Sequence, residues 1–249
     1  FAQVNSSVLS SGDWYKFSVD TTGVFKIDRG LLQQIGVSTN GLNPKKIHIY
    51  GNGGQLLPVL NSDSRYDDLQ ENAIFIEGEN DGSFDGGDYI LFYAKGPHDW
   101  ETNSINGNTN HRQNIYSDKS YYFITVNDSD GKRIQQKTPI PTNAVTQINT
   151  FDDFTFLEKE EKSILAVGTQ WFFNEDFNIE NTQNFSIPFP NALTNEDIYV
   201  KVGGVSNSIV SSTMEVKVNG QDLFSINYPG VNSGSLTKAF ALQRNATIS

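Results

Sequence analysis

Short apolar runs rich in aromatic and β-branched residues, separated by glycine and polar turns, constrain the fold of this chain more than any other feature. Runs of four to eight such residues, whether alternating or continuous, are typical of β-strands and too short for most helices. The clearest runs are WYKFSV, VFKI, KKIHIY, NAIFIEG, DYILFYA, SYYFITV, DIYVKV, MEVKV and LFSINY. The sequence therefore predicts an all-β, mostly antiparallel fold.

The first half of the chain predicts a hairpin, a short helix and several central strands. Residues 14–27 form two strand-like runs around a Thr-Gly turn, which is typical of a β-hairpin. Asp28 can cap a short helix in RGLLQQIG, and Gly36 can end it in the left-handed conformation. The continuous runs NAIFIEG, DYILFYAKG and SYYFITV predict strands covered on both faces. We expect the polar stretch 100–119 to be a loop.

A change in composition indicates two domains. Residues 128–150 contain two prolines and many small polar side chains, as domain boundaries often do. We expect residues 14–147 to form a β-sandwich or jelly-roll-like domain. Residues 148–249 predict a second, incomplete β-sandwich, in which VNGQ marks a tight hairpin. Residues 1–13 are either the end of a secretory signal peptide or a flexible start.

The composition excludes several classes of function. The chain has 18 Lys and Arg against 29 Asp and Glu, a net charge of −11, so nucleic acid would be repelled. Cysteine is absent from its 249 residues, which removes disulfides, thiolate metal sites and cysteine nucleophiles. No apolar run approaches the length needed to span a bilayer. Serine-hydrolase GxSxG and zinc-protease HExxH motifs are also absent.

An acidic, glycine-rich loop between two strand-like runs is the candidate metal site. Glu79, Asp81, Asp85 and Asp88 could bind calcium, but the bidentate glutamate of an EF-hand is replaced by Phe92. We favour a structural loop in which Gly82, Gly86 and Gly87 supply positive φ angles and the aspartates hydrogen-bond the backbone. We therefore expect no cofactor, with calcium as the alternative.

Two further groups of side chains are candidate sites. His98 and His111, with Asp99, could form a metal or acid/base site, although no fixed-spacing motif supports this. Trp171 and Phe172 are consecutive aromatic residues just after the expected domain boundary. We expect them to pack between the two domains; the alternative is an exposed patch that binds a partner.

Several ordered blocks resemble the amino-terminal, pre-catalytic region of a known family. The blocks include DWYKFSVDTTGVFKIDRGLLQQIGV, NPKKIHIYGNGGQLLP, RYDDLQENAIFIEGENDGSFDGGDYILFYAKGPHDW and HRQNIYSDKSYYFITV, and GTQWFFNEDF extends them into the second unit. They resemble the PorU family, the gingipain-related sortases (peptidase family C25) of the type IX secretion system of Bacteroidota. The resemblance is best over residues 13–135.

The resemblance implies a function that these residues do not themselves perform. The family removes the C-terminal signal domain of secreted cargo and attaches the cargo to lipopolysaccharide, using a Cys-His peptidase domain. Because this chain has no cysteine, no catalytic residue can be assigned to it. The resemblance implies a scaffold or docking region, exported to the cell surface and attached to the outer membrane, with PorV and cargo as partners. A carbohydrate- or surface-binding module and a gingipain-type inhibitory prodomain are the alternatives.

Overall fold

The structure, a computed structural model, describes residues 6–102, 109–139, 146–164, 170–173 and 176–248. It divides into two compact units, Phe1–Gln147 and Ile148–Ser249. In both units the strands are mostly antiparallel, which confirms the predicted all-β class. The signal-peptide interpretation of residues 1–13 stays a prediction.

Nine strands, one α-helix and three single 3₁₀ turns form the regular structure among the described residues of the first unit. The strands are β1 (Tyr15–Val19), β2 (Gly23–Asp28), β3 (Ile47–Tyr50), β4 (Glu71–Asn72), β5 (Ile74–Glu77), β6 (Tyr89–Ala94), β7 (His98–Thr102), β8 (Thr109–Gln113) and β9 (Ser120–Val126). The helix is α1 (Arg29–Gln34), and the 3₁₀ turns are Val8–Ser10, Pro44–Lys46 and Glu79–Asp81.

Helix α1 begins and ends where the sequence predicts. The Asp28 carboxylate accepts a hydrogen bond from the backbone N–H of Leu31 at 2.9 Å, as an N-cap does. Gly36 has φ of +101°, a conformation that other residues adopt only with strain. Leu32 faces inward and is completely buried.

Two antiparallel sheets enclose the core of the first unit. One has the strand order β1-β9-β3-β4 and the other β2-β6-β5. Aromatic rings join them: Phe92 of β6 lies 5.6 Å from Phe17 and 5.2 Å from Tyr122, measured between ring centroids. Both contacts are edge-to-face, a favourable geometry for aromatic pairs.

The predicted hairpin at residues 14–27 is wrong. Strands β1 and β2 are consecutive, but β1 pairs with β9 and β2 pairs with β6, in different sheets. Phe17 and Phe25 each contact Phe92, so the turn between the strands carries the chain from one sheet to the other. The short turn resembles a hairpin in sequence because both arrangements need only a sharp reversal.

The continuous apolar strands are covered on one face rather than both. Ile74 and Ile76 of β5 are buried, whereas Phe75 between them is 41% exposed. Strand β6 alternates in the same way, with Phe92 buried and Tyr93 exposed. An antiparallel sheet can leave large apolar side chains on its solvent face, so a continuous run does not by itself require two covered faces.

Residues 100–119 are not simply a loop. Strands β7 and β8 lie at this point and pair antiparallel, with Trp100 opposite His111. Their polar and charged side chains give no apolar alternation, so the sequence pattern misses them.

The described residues of the second unit form two two-stranded antiparallel sheets. Its strands are β10 (Ile198–Ser206), β11 (Ser212–Val218), β12 (Gln221–Tyr228) and β13 (Phe240–Ile248). Strand β10 pairs with β13, and β11 pairs with β12 through the predicted Asn-Gly turn, where Asn219 and Gly220 both have positive φ. The Tyr228 hydroxyl lies 2.6 Å from where a Cβ on Gly204 would stand, so β12 packs closely on β10.

Within the described part of the chain, no helix is long and apolar enough to cross a membrane.

The Tyr122 hydroxyl provides a test of the core. It accepts a hydrogen bond from the N–H of Lys95 at 2.7 Å and donates to the carbonyl oxygen of the same residue at 3.0 Å. Tyr122→Phe leaves both backbone groups without this partner, so we expect a loss of about 1–3 kcal/mol in the free energy of unfolding. The matched control is Tyr121→Phe, since that ring is 41% exposed. Equal denaturation midpoints for both variants would show that the hydroxyl bridge contributes nothing.

Candidate functional site

The acidic loop connects β5 to β6 and begins with a 3₁₀ turn at Glu79–Asp81. Two glycines with positive φ frame this turn, Gly78 at +87° and Gly82 at +82°. Gly86 and Gly87, which the sequence predicted in the same conformation, do not have positive φ. A Cβ at Gly78 would collide with the Asp88 carboxylate, so only glycine fits this close approach.

The aspartates of the loop hydrogen-bond the loop itself. Asp81 accepts from the Ser83 N–H at 3.0 Å, and Asp85 accepts from the Ser83 hydroxyl at 3.1 Å. Asp88 accepts from the Asp85 N–H at 2.7 Å. The bonds to the Ser83 and Asp85 N–H groups are side-chain-to-backbone bonds typical of Asx turns, in which short polar side chains hold a loop without a ligand.

Glu79 is directed away from the three aspartates. Its carboxylate forms an ion pair with the Arg133 guanidinium at 2.8 Å, and both side chains are partly buried. The structure therefore brings Asp81, Asp85 and Asp88 into one loop but engages Glu79 elsewhere. Calcium prefers six to eight oxygen ligands, and among the described residues no three His, Cys, Asp or Glu side chains form a group that could hold a metal ion. Calcium binding here stays a prediction.

The two candidate histidines lie together on the β7–β8 hairpin. The ring centroids of His98 and His111 are 5.4 Å apart, and the Trp100 ring lies 5.1 Å from His111. Asp99, the third predicted member, is opposite Arg112 in the strand register. Successive strand residues point to opposite faces, so Asp99 is not on the face that carries the histidines. A combined site of these three residues does not form.

The third histidine, His48, is the most enclosed of the three, and no sequence motif marks it as a site. Its side chain is 3% exposed, with Nδ1 at 2.8 Å from the Glu71 carboxylate and Nε2 at 3.2 Å from the Ser129 carbonyl oxygen. A buried histidine with a carboxylate partner is a common arrangement at functional sites and in structural ion pairs alike.

The candidate aromatic residues lie in the second unit, where Phe172 forms an isolated antiparallel bridge with Lys162. Phe172 forms two backbone hydrogen bonds with Lys162, each of 2.9 Å, and the Lys162 ammonium pairs with Asp176 at 2.6 Å. The Trp171 side chain is 39% exposed, whereas Phe172 is half-buried. Whether these rings pack between domains or bind a partner stays a prediction.

Next to these rings lies Glu160, whose carboxyl group is close to that of Glu158. Burial raises the pKa of Glu160 to about 7, and the charge of Glu158 and a hydrogen bond with it add to the increase. The backbone N–H of Trp171 acts in the opposite direction by donating to the carboxylate. Because a proton is retained near pH 7, the two carboxyl groups can remain close together.

Comparison with known proteins finds a similar solved structure. No protein-family model matches the sequence, and no curated protein does. A crystal structure of dimeric latent PorU from Porphyromonas gingivalis has a similar fold. The match has a TM-score of 0.64 and 23% sequence identity, and it covers 97% of this chain. The fold is PorU-like.

The match covers only 22% of the PorU chain. It spans both units of the present chain, since almost every residue is included. At this identity the similarity concerns the fold, and residue roles do not transfer with it.

Calcium gives the first test of the acidic loop. We expect the same thermal unfolding midpoint in millimolar calcium and in chelator, because the carboxylates already hold donors within the loop or on Arg133. A ligand that binds only the folded state must raise the midpoint. A rise with calcium that Asp85→Asn abolishes would instead establish the metal site.

Titration of Glu160 gives the second test. A carboxyl pKa raised in the folded state stabilises the fold at low pH, and this stability is lost as pH rises through about 7. We therefore expect the Phe172 amide to be better protected from hydrogen exchange at pH 5 than at pH 8, after correction for intrinsic rates. Glu160→Gln should remove this dependence, whereas Glu161→Gln, its neighbour, should retain it. Identical pH profiles for both variants would contradict the assignment.

Proposed function

We propose that this chain is the non-catalytic, amino-terminal scaffold of a PorU-type sortase of the type IX secretion system. The observation that carries the proposal is the PorU-like fold over 97% of the chain. The ordered sequence blocks between residues 13 and 135 support it independently, because they resemble the same family in the same order.

The chemistry of the family must then lie outside these residues. A cysteine peptidase needs a thiolate nucleophile, and the chain contains no cysteine. The matched region is 22% of the PorU chain, which leaves most of that protein for other tasks. Removal of the cargo signal domain and attachment of cargo to lipopolysaccharide would therefore be performed elsewhere in the sortase, while this region positions the catalytic part.

The proposal places the protein at the cell surface, exported and attached to the outer membrane. Its partners would be the outer-membrane protein PorV and the secreted cargo, and nucleic acid is not expected because the net charge is −11. An acidic surface of this kind keeps an extracellular protein soluble and favours partners with positive or apolar patches.

Trp171 and Phe172 are the residues we propose for docking. The Trp171 side chain is 39% exposed, as an interface ring is before its partner binds. Backbone hydrogen bonds between Phe172 and Lys162 and the ion pair between Lys162 and Asp176 hold the segment in place. A ring presented on an ordered segment loses little entropy on binding, which is why tryptophan is frequent at energetic centres of interfaces.

Substitution of Trp171 separates docking from packing. If the ring contacts a partner, Trp171→Ala should weaken binding to PorV by about thirtyfold or more, equivalent to about 2 kcal/mol, and leave the unfolding midpoint almost unchanged. Tyr116→Ala is the control, since Tyr116 is a 78% exposed aromatic residue of the first unit. A large fall in the midpoint would favour packing of Trp171 within the protein, and an absence of PorV binding by the unmodified chain would contradict the docking role.

A further inference from the structure

His48 lies at the centre of a charged contact that holds one segment onto the first unit. We call residues Asn127–Arg133 the latch segment; it follows β9, where the chain leaves the sheet toward the second unit. The segment crosses the end of β3 and reaches β4. Its Gly131 N–H donates to the Lys45 carbonyl at 2.9 Å, and its Lys132 N–H donates to the Glu71 carboxylate at 2.7 Å.

Both nitrogens of the His48 ring face oxygen atoms that accept hydrogen bonds. Nδ1 lies 2.8 Å from the Glu71 carboxylate, and Nε2 lies 3.2 Å from the Ser129 carbonyl oxygen. A neutral imidazole carries a proton on one nitrogen only, so it would direct the lone pair of the other at an acceptor.

The Ser129 hydroxyl, which lies near the ring, does not supply the missing proton. The Ser129 hydroxyl is 3.5 Å from Nε2, but it donates to the Asn127 side-chain oxygen at 2.6 Å. Its proton is therefore engaged elsewhere, and the carbonyl remains the near partner of Nε2. Only an imidazolium, with both nitrogens protonated, satisfies every group around the ring.

We propose that His48 is an imidazolium that closes the latch segment onto the sheet, and that loss of its proton opens this latch. The positive ring bridges the Glu71 carboxylate of β4 and the Ser129 carbonyl of the latch segment. Without the proton, the ion pair is lost and a ring nitrogen lone pair faces an oxygen lone pair in a buried site, with no hydrogen between them. The segment through which the chain passes toward the second unit is then released from β3 and β4.

The surrounding charges are consistent with a closed latch held by the ring. Glu71 is the acidic group that faces His48 from β4, and Tyr50 stacks on the ring from β3 with centroids 6.3 Å apart. Burial raises the pKa of the Tyr50 phenol, and the negative charge of Glu71 raises it further.

The latch segment itself contributes the remaining charged groups. Asp128 offers its backbone carbonyl and Asp130 its carboxylate to the Lys46 ammonium, at 2.6 and 2.7 Å. Lys132 uses its backbone N–H on Glu71, and Arg133 pairs with Glu79. Within the cluster, the ring is the group whose two hydrogen bonds both depend on its carrying a second proton.

Protonation of His48 and closure of the latch segment are thermodynamically linked, so each stabilises the other. The folded protein holds the ring proton through two hydrogen bonds that the unfolded chain lacks, so the latch is stable at lower pH and is lost as pH rises. The opening is local, since backbone hydrogen bonds of Ile74 with Lys132 and Ile134 keep the end of the segment on β5. Strands β5, β6 and β9 are also held by their own strand pairing.

The protonation state can be read directly by NMR. The chain contains 3 histidines, so ¹⁵N-labelled histidine in the complete 249-residue protein gives few ring signals. We expect both His48 nitrogens to be protonated at about pH 7. A neutral ring, with one nitrogen unprotonated at this pH, would overturn the proposal.

Opening can be followed at the amides that the latch uses. Hydrogen exchange at Lys132 and Gly131, corrected for intrinsic rates, should lose protection by about tenfold or more between about pH 6 and pH 9, since the open fraction rises about tenfold per pH unit once the ring titrates. The Ile90 amide, in the central strand β6, should retain its protection. Constant protection at Lys132 over this range would also overturn the proposal.

A substitution that removes the charge of Glu71 but keeps its size tests the ion pair with His48. Glu71→Gln keeps an oxygen acceptor at the same position but no longer balances the ring charge. We expect it to move the loss of Lys132 protection to lower pH. Glu77→Gln, on the exposed face of β5, is the matched control and should leave the profile unchanged. Identical pH profiles for Glu71→Gln and the unmodified protein would show that no charged bridge exists.

Discussion

The first unit depends on one buried residue, Tyr122, whose ring packs in the core and whose hydroxyl hydrogen-bonds the backbone. The ring lies between the two sheets, against Phe17 and Phe92, where it helps to fill the core. It also lies so close to Gly51 that a side chain at that position would collide with it. The hydroxyl reaches Lys95, just after β6, and satisfies two backbone groups at the end of that strand. This single side chain therefore both fills apolar space between the two sheets and provides hydrogen-bond partners for two backbone groups.

Local features of the fold could be predicted from the sequence, because they depend on local chemistry. The Asp28 cap, the Gly36 helix end and the Asn-Gly turn before β12 are each determined by a few adjacent residues. The pairing of β1 with β9 could not be predicted in this way, because the sequence of residues 14–27 does not indicate which distant strand will pair with β1. Strands β7 and β8 were not predicted, because their side chains are almost all polar or charged and show no alternation of apolar and polar residues.

The candidate site was predicted less completely than the fold. The sequence indicated an acidic loop and an aromatic pair, and it placed the loop correctly between two strands. It could not show that Glu79 reaches Arg133, since the two are far apart in the chain. Nor could it show the surroundings of His48, which come from β4 and from a segment about eighty residues later. The PorU-like fold agrees with the family resemblance of the sequence blocks, although the overall identity is low.

The sheets of the second unit also bear on how the protein behaves at high concentration. Each is two-stranded, so within the described residues every strand from β10 to β13 has one edge outside these pairings. Long strand edges are templates onto which further strands can add, which is a common origin of aggregation. Each strand nevertheless contains a charged side chain, namely Lys201, Glu215, Asp222 or Arg244. Charged side chains on a strand disfavour the addition of a further strand, so we expect these residues to oppose edge-to-edge association.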